Sequence, residues 1–567
     1  MAGDLCRKGR PGQTGGVTRT GEAALSRART AWWYPSLAGV AAIAAALGLG
    51  EVVAAIVDPR SSPLVAVGGL VIDRVPESGK DLAIRLFGTN DKLALQVGTV
   101  ILLALICGGM GLLARSRRWV GWAGFGALAV LAVVAAVTRA GATVVWALPG
   151  LVAGAAGVGA LGWLLRDVER FAPSPEPAER TAADRTAADR TAADRTASDR
   201  TAADRGVADG AAAAASRRRF LWGSALAIGG GAVVGWLGRF VGGFSAANTA
   251  RNELAVELPA PSGGPAPAVP GSDVADLRYV TPNDVFYRID TALVVPRIDP
   301  SGWVLTIDGR VGRPMTLTLD DLLARPMVER YITLTCVSNP VGGDLIGNAR
   351  WLGVPIADLL DEVEPDPGAD QVVSWSVDGF TAGTPTAALR DGRDALLAVG
   401  MNGEPLPFDH GFPVRMVVPG LYGYVSATKW LRRLELTTFD DFDAYWIPRG
   451  WAQQAPIKTE SRIDRPRERQ EIEAGEFLVA GVAWAQRRGI SAVQVRVDEG
   501  EWQDATLATV ASIDTWRLWS WRWMATSGEH RLEVRAADNA GVFQTAEVAS
   551  PIPNGASGYH QVTIRVR

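Results

Sequence analysis

Histidine and cysteine are scarce in this chain, with three of each among 567 residues. The histidines, His410, His530 and His560, all lie in the C-terminal part. No CxxCH motif occurs and no long apolar run holds a histidine, so the chain lacks recognisable ligands for a haem. Cys6 falls in the N-terminal tail and Cys107 in an apolar run. Cys336, in "RYITLTCVSNPVGGDLIGNARWLGVP" (Arg330 to Pro355), stands between a short apolar run and a glycine-rich turn with no evident disulfide partner. An excess of one charge is also missing. With 57 Lys and Arg against 60 Asp and Glu, no basic surface stands out, which argues against a nucleic-acid partner.

What is abundant is apolar residue. A hydrophobic content of 48% and a mean hydropathy of +0.11 are high for a wholly soluble chain. Ser36 to Val57, Leu93 to Leu113, Val120 to Val137 and Thr143 to Leu165 are each long enough to cross about 30 Å of hydrocarbon. A fifth run, Phe220 to Leu237, follows. Arginines flank these runs at Arg27 and Arg29, Arg115 to Arg118 and Arg217 to Arg219, so the positive-inside bias puts those flanks in the cytoplasm and the C-terminal half outside. "SSPLVAVGGLVI" in the loop 58–96 is too short to span and reads as interfacial or re-entrant. Glu51, inside the first run, is read as a carboxylate reaching the outer interface, with a functional role as the alternative.

Between the fourth and fifth runs, "ERTAADRTAADRTAADRTASDRTAADRG" repeats every five residues. That step advances a helix by about 140°, so no apolar stripe forms and the segment is a solvated spacer. It ends in "SRRRFLWGSALAIGGG", where Ser216, Arg217, Arg218, Phe220 and Leu221 are similar to a twin-arginine export signal set inside the chain; a plain basic flank is the alternative. "LPAPSGGPAPAVPGS" (Leu258 to Ser272) is a linker. The expected organisation is a cytoplasmic tail (1–30), a four-span domain (31–165), a cytoplasmic repeat linker (166–219), a fifth span (220–240), a Pro/Gly linker (241–278) and two exterior domains (279–445 and 446–567).

From Tyr279 the texture becomes α+β, with the alternating "GWVLTIDG" and helices predicted at "TLDDLLAR" and "IADLLDEV". "TLTCVSNPVGGDLIGNARWLGVPIADLL" together with "MNGEPLPFDHGFPVRMVVPGLYGYVSATKW" resembles the sulfite oxidase family of molybdopterin enzymes, from about Pro282 to the C terminus. The resemblance implies a molybdopterin cofactor whose molybdenum is bound by the thiolate of Cys336, a soft ligand suited to that metal. It also implies cofactor contacts from His410, Arg415, Ala427, Thr428 and Lys429, from Asp378 at an imperfect spacing, and from Phe286, Tyr287 and Arg288 of "PNDVFYRIDTALVVP". Arg288 matches the family arginine that faces substrate, which gives it a catalytic role beside Cys336. Two departures weaken sulfite as the substrate. Val341 falls where arginine is usual soon after the cysteine, and Phe380 of "DGFTAGTP" replaces a tyrosine.

From Trp446 short alternating strands with Asp/Gly turns read as an immunoglobulin-like sandwich, similar to the family's dimerisation domain, with the tryptophans of "TWRLWSWRW" in its core and interface. "YWIPRGWAQQAPIKTESRID" bridges the two domains and carries Arg449. The reading is thus a multi-domain chain: an N-terminal α-helical transmembrane bundle, an α+β sulfite-oxidase-like molybdopterin domain and a C-terminal immunoglobulin-like β-sandwich. Its implied activity is oxo transfer to or from a small oxo compound such as sulfite, with a separate cytochrome or quinone partner and homodimerisation. The alternatives are reduction of sulfoxides such as methionine sulfoxide, and a transport or signalling protein whose exterior domain binds a partner.

Overall fold

The computed structural model describes residues 33–75, 91–139, 142–171, 212, 214–235, 246–254 and 258–567. Cys6 and the five-residue repeat lie outside the described residues. The chain divides into two compact units, Met1–Gly243 and Phe244–Arg567.

The first unit is helical. Four segments, Trp33–Val57, Ala94–Ala114, Arg118–Val137 and Val144–Arg170, are long and apolar enough to cross a membrane. The last of them begins as a 3-10 turn, Val144–Ala147, and continues as an α-helix. The fifth expected span is helical through residue 235, and its remaining residues lie outside those described. "SSPLVAVGGLVI" forms the short helix Pro63–Arg74, with Pro63 in its first turn and Ser62 accepting from the Val65 amide. Small residues let the backbones approach. A Cβ on Gly39 would lie 1.9 Å from the Cys107 carbonyl oxygen, and one on Gly48 2.6 Å from that of Gly231, so larger side chains there would force the helices apart. Glu51 is buried within the helical unit and accepts a 2.5 Å hydrogen bond from Ser62 Oγ.

The second unit is richer in strand than the α+β expectation. Its strands are β1 (Val304–Gly309), β2 (Met315–Thr318), β3 (Val328–Thr335), β4 (Ile346–Pro355), β5 (Gln371–Ser376), β6 (Thr381–Pro385), β7 (Leu396–Met401), β8 (Glu404–Pro405), β9 (Arg415–Val417) and β10 (Leu431–Thr437). These build two sheets, β2-β1-β10-β5-β6 and β3-β4-β7-β8, with β9 paired to β7. The helices between them are short. Leu319–Leu323 starts at a capping box in which Thr318 and Asp321 satisfy each other's backbone amides, and Ile356–Val363 buries Ile356, Leu359, Leu360 and Val363 on one face.

The chain continues as β11 (Glu460–Arg465), β12 (Glu471–Ile472), β13 (Gly475–Trp484), β14 (Ile490–Val497), β15 (Gln503–Asp504), β16 (Thr506–Leu507), β17 (Arg517–Ala525), β18 (Gly528–Asp538) and β19 (His560–Val566). They form the sheets β11-β13-β17-β16 and β12-β19-β18-β14-β15. One core made by both sheets, including Val479, Trp519, Val495, Val534 and Ile564, packs them into a sandwich. Trp519 and Trp523 are buried in that core, while Trp516 is buried in the core of the preceding strands.

Candidate functional site

Cys336 is the first residue beyond β3. That strand alternates, burying Ile332 and Leu334 in one core while Thr333 and Thr335 face the other side. The chain then turns. The Cys336 amide donates to the Leu345 carbonyl (3.0 Å), and the Cys336 carbonyl accepts from the Asn339 amide (3.1 Å). The thiol is free, 9% exposed, and its Sγ lies 2.9 Å from Ser338 Oγ. Burial pushes the thiol up, so a thiolate here needs a cation to offset its desolvation. Among the described residues no three His, Cys, Asp or Glu side chains gather as an all-protein metal site.

Around this turn the structure collects the residues of two other segments. Tyr287 sits in the field of both Cys336 and Arg415, and burial, reinforced by Cys336, pushes its phenol up. Phe286 is buried and meets Trp351 and the His410 ring edge to face, at centroid distances of 5.9 and 5.5 Å. Gly423 lies against the same place: a Cβ there would be 3.7 Å from the Thr335 carbonyl and 3.9 Å from the Tyr287 hydroxyl.

Arg415, on β9, is the unusual member. Its side chain is 5% exposed and donates to the carbonyls of Met416, His410 and Ala427 at 3.3, 3.1 and 3.3 Å, and it stacks over Trp351 at 5.0 Å. No carboxylate among the described residues pairs with it. Burial lowers its pKa to about 10, which still leaves it charged at neutral pH. A buried guanidinium held only by carbonyl dipoles is a seat for an anion.

Lys429 and His410 stand beside it. Lys429 donates to Asp290 (2.6 Å) and to the Asp409 carbonyl (3.0 Å), and burial pulls it down to about 8 despite Asp290. His410 Nε2 donates to the Asn283 carbonyl (3.0 Å); burial, then Arg415, lower its pKa to about 4, so the ring is neutral with Nδ1 bare. Ala427 supplies its carbonyl to Arg415, and Thr428 is buried with Oγ1 2.7 Å from Ser374 Oγ.

Two predicted residues are held by partners outside the Cys336 turn. Arg288 is 37% exposed and pairs with Asp290 (2.9 Å), the carboxylate that also holds Lys429, and with Asp409 (3.3 Å). Asp378 accepts from Thr291 Oγ1 (3.2 Å) and from the Phe380 amide (3.1 Å), closing its own turn. The residue that sequence reasoning missed is Asp290, which ties Arg288 to Lys429. Its place two residues after Arg288 was visible, but its partner is 139 residues away.

A family model described as "Oxidoreductase molybdopterin binding domain" matches residues 292–446. The chain is 31% identical over 336 residues to mitochondrial sulfite oxidase of Homo sapiens, covering 51% of this chain and 61% of the human one. Against sulfite oxidase of Gallus gallus it is 31% identical over 336 residues, covering 51% of this chain and 72% of that one. The chain belongs to the sulfite oxidase family. Among solved structures, the sulfane dehydrogenase SoxCD of Paracoccus pantotrophus aligns with a TM-score of 0.46 at 22% identity, over 53% of this chain and 88% of that one.

The family's molybdenum cofactor fits the residues present. Cys336 is a buried free thiol without a cation, and Arg415 a buried cation without a carboxylate, which suits a metal at one end and an anionic group at the other.

Proposed function

We propose that this chain is a membrane-tethered molybdopterin oxidoreductase that moves an oxo group to or from a small substrate outside the cytoplasm. The observation that carries the reading is the buried Arg415, held only by backbone carbonyls, in the same cluster as the free Cys336 thiol. Cys336 would ligate molybdenum, while Arg415, Lys429 and a His410 that protonates as an anion arrives would hold the cofactor's phosphate and pterin. When bound, the cofactor supplies the metal centre at which the oxo group is gained or lost. Around it the chain's own work is positional. Phe286 and Tyr287 wall the metal side, Asp378 orders the turn that carries Phe380, and Arg288 offers the partly exposed charge for an anionic substrate. Electrons would leave or enter through a separate cytochrome or quinone partner, and we read the sandwich as an immunoglobulin-like domain for homodimerisation.

Reduction of a neutral sulfoxide is the second reading. Val341 and Phe380 favour it, because both replace polar groups that an oxyanion would use, and Phe380 instead packs 5.8 Å from the Tyr445 ring. Molybdenum analysis of the purified chain, followed by assays with sulfite and with methionine sulfoxide, tests both; a metal-free, inactive preparation from cofactor-competent cells would remove them. Export has its own test. Arg217 and Arg218 are exposed in the first turns of the helix 214–235, so changing both to lysine keeps the positive charge while removing the arginine signal. Exterior protease should then fail to reach the C-terminal unit; unchanged access would reduce the pair to a basic flank.

A further inference from the structure

Strand β3 is the edge of its sheet, with β4 on one side and, among the described residues, no strand on the other. The sandwich covers that open side. The Thr333 amide donates to the Asp514 carbonyl (3.0 Å), the Trp516 amide donates to Thr333 Oγ1 (2.7 Å), and Gln486 Nε2 reaches the Thr333 carbonyl and Thr335 Oγ1 at 3.4 Å each. Thr335 immediately precedes Cys336. On the far side of the cysteine, the turn 337–345 is closed by the Leu345 amide donating to Asn339 Oδ1 (2.9 Å), and its tip rests on the sandwich again. Arg462 Nη1 donates to the Gly343 carbonyl (2.7 Å), with Asp464 holding the same guanidinium at 2.6 Å.

Gly342 shows how close that contact is. Its φ is +75°, and a Cβ there would lie 2.0 Å from Cδ2 and 2.2 Å from Nε2 of His560. His560 Nδ1 accepts from the Ile463 amide (3.0 Å), so the ring proton sits on Nε2, facing the turn. Burial lowers its pKa to about 4, and the ring stays neutral at physiological pH.

We propose that the sandwich is a positioning element for the metal ligand: by holding the chain on both sides of Cys336, through Thr333 before it and through Gly342 and Gly343 after it, it sets where Sγ points. Arg462 and His560 are positioning residues in this scheme, acting only through the turn. Simple adhesion between domains would use the same surface but would not single out the cysteine. The proposal takes from the preceding reading only that Cys336 is the ligand, and metal content tests that separately.

The experiment uses the full chain made in cells unable to synthesise the cofactor, with the rate of Cys336 alkylation followed on its own peptide by mass spectrometry. Arg462→Gln and His560→Ala should each raise that rate about tenfold, the factor for losing one charge-assisted hydrogen bond or its packing equivalent, with Arg462→Lys in between. Thr509→Ala, which removes a sandwich hydrogen bond to the Pro270 carbonyl and none to the residues flanking Cys336, should leave the rate alone. In cofactor-loaded protein, Arg462→Gln and His560→Ala should also shift the molybdenum(V) paramagnetic resonance signal. An alkylation rate equal to wild type in both Arg462 variants, or one raised as much by Thr509→Ala, would overturn the proposal. Should His560→Ala fail to fold, the charge-conserving Arg462→Lys decides.

Discussion

The two units treat buried ionisable side chains in opposite ways. In the helical unit Glu51 sits among apolar helices but accepts a short hydrogen bond from Ser62, whose hydroxyl also caps the next helix. In the C-terminal unit Arg415 is as deeply buried and has only carbonyl partners, while the Cys336 thiol has no cation. A buried carboxyl hydrogen-bonded within its own chain contributes to the fold that holds it. An unmatched buried charge costs stability by itself, and its persistence marks a place where something else completes the charge balance.

The largest effect expected from breaking this contrast is at Cys336. Cys336→Ser exchanges a soft thiolate for a hard, protonated hydroxyl of similar size, so turnover should fall by orders of magnitude with the fold retained, as measured by steady-state kinetics and circular dichroism. Next comes Arg415→Met beside Glu51→Gln. The first should lower molybdenum and pterin content about tenfold or more, because the anion loses its buried guanidinium, and the second should leave both contents unchanged. Equal contents in the two variants would erase the distinction between the units.

A smaller effect belongs to Arg288, which is half-exposed and already shared between Asp290 and Asp409. Arg288→Met should cost about tenfold in kcat/KM for an anionic substrate and little for a neutral sulfoxide, with molybdenum content unchanged. Equal losses on both substrates would make it a structural partner of Asp290. The smallest effect is one of stability. Glu460, the first residue of β11, is 5% exposed, and its Oε1 has no hydrogen-bond partner. Burial, opposed only weakly by Lys458, raises its carboxyl from an ordinary 4.5 to about 8. Between those values the unfolded chain has released a proton that the folded chain keeps, so stability falls as pH rises from about 4.5 to about 8. Glu460→Gln should remove that component, and its melting temperature in detergent should gain on wild type between pH 5 and pH 8; parallel curves would refute the assignment.

Much of this was legible in the residues themselves. Hydropathy marked four membrane-length helices, because a run of that length can bury its backbone polar groups only within itself. The helices at Leu319–Leu323 and Ile356–Val363 follow from a capping box and a one-sided apolar face, both local signals. The cofactor residues were legible only through the resemblance, since Cys336, Arg415 and Lys429 share no spacing that chemistry alone would select. The fate of Glu51 and the direction of Arg288 were not legible. Each depends on a side chain brought in by tertiary folding, Ser62 from the neighbouring helix for the one and Asp409 from a distant loop for the other.

By itself, then, the sequence determined the apolar helices, the alternation of the strands and the residue types available for a metal and an anion. These are properties of period and composition, set within a few turns of chain. Only the tertiary structure decided that Arg415 would be left without a carboxylate, that Asp290 would join Arg288 to Lys429, and that the sandwich would grip the chain on either side of Cys336. The last two rest on contacts across more than a hundred residues, and burial gives all three their energy by removing the water that would otherwise make every polar pairing interchangeable.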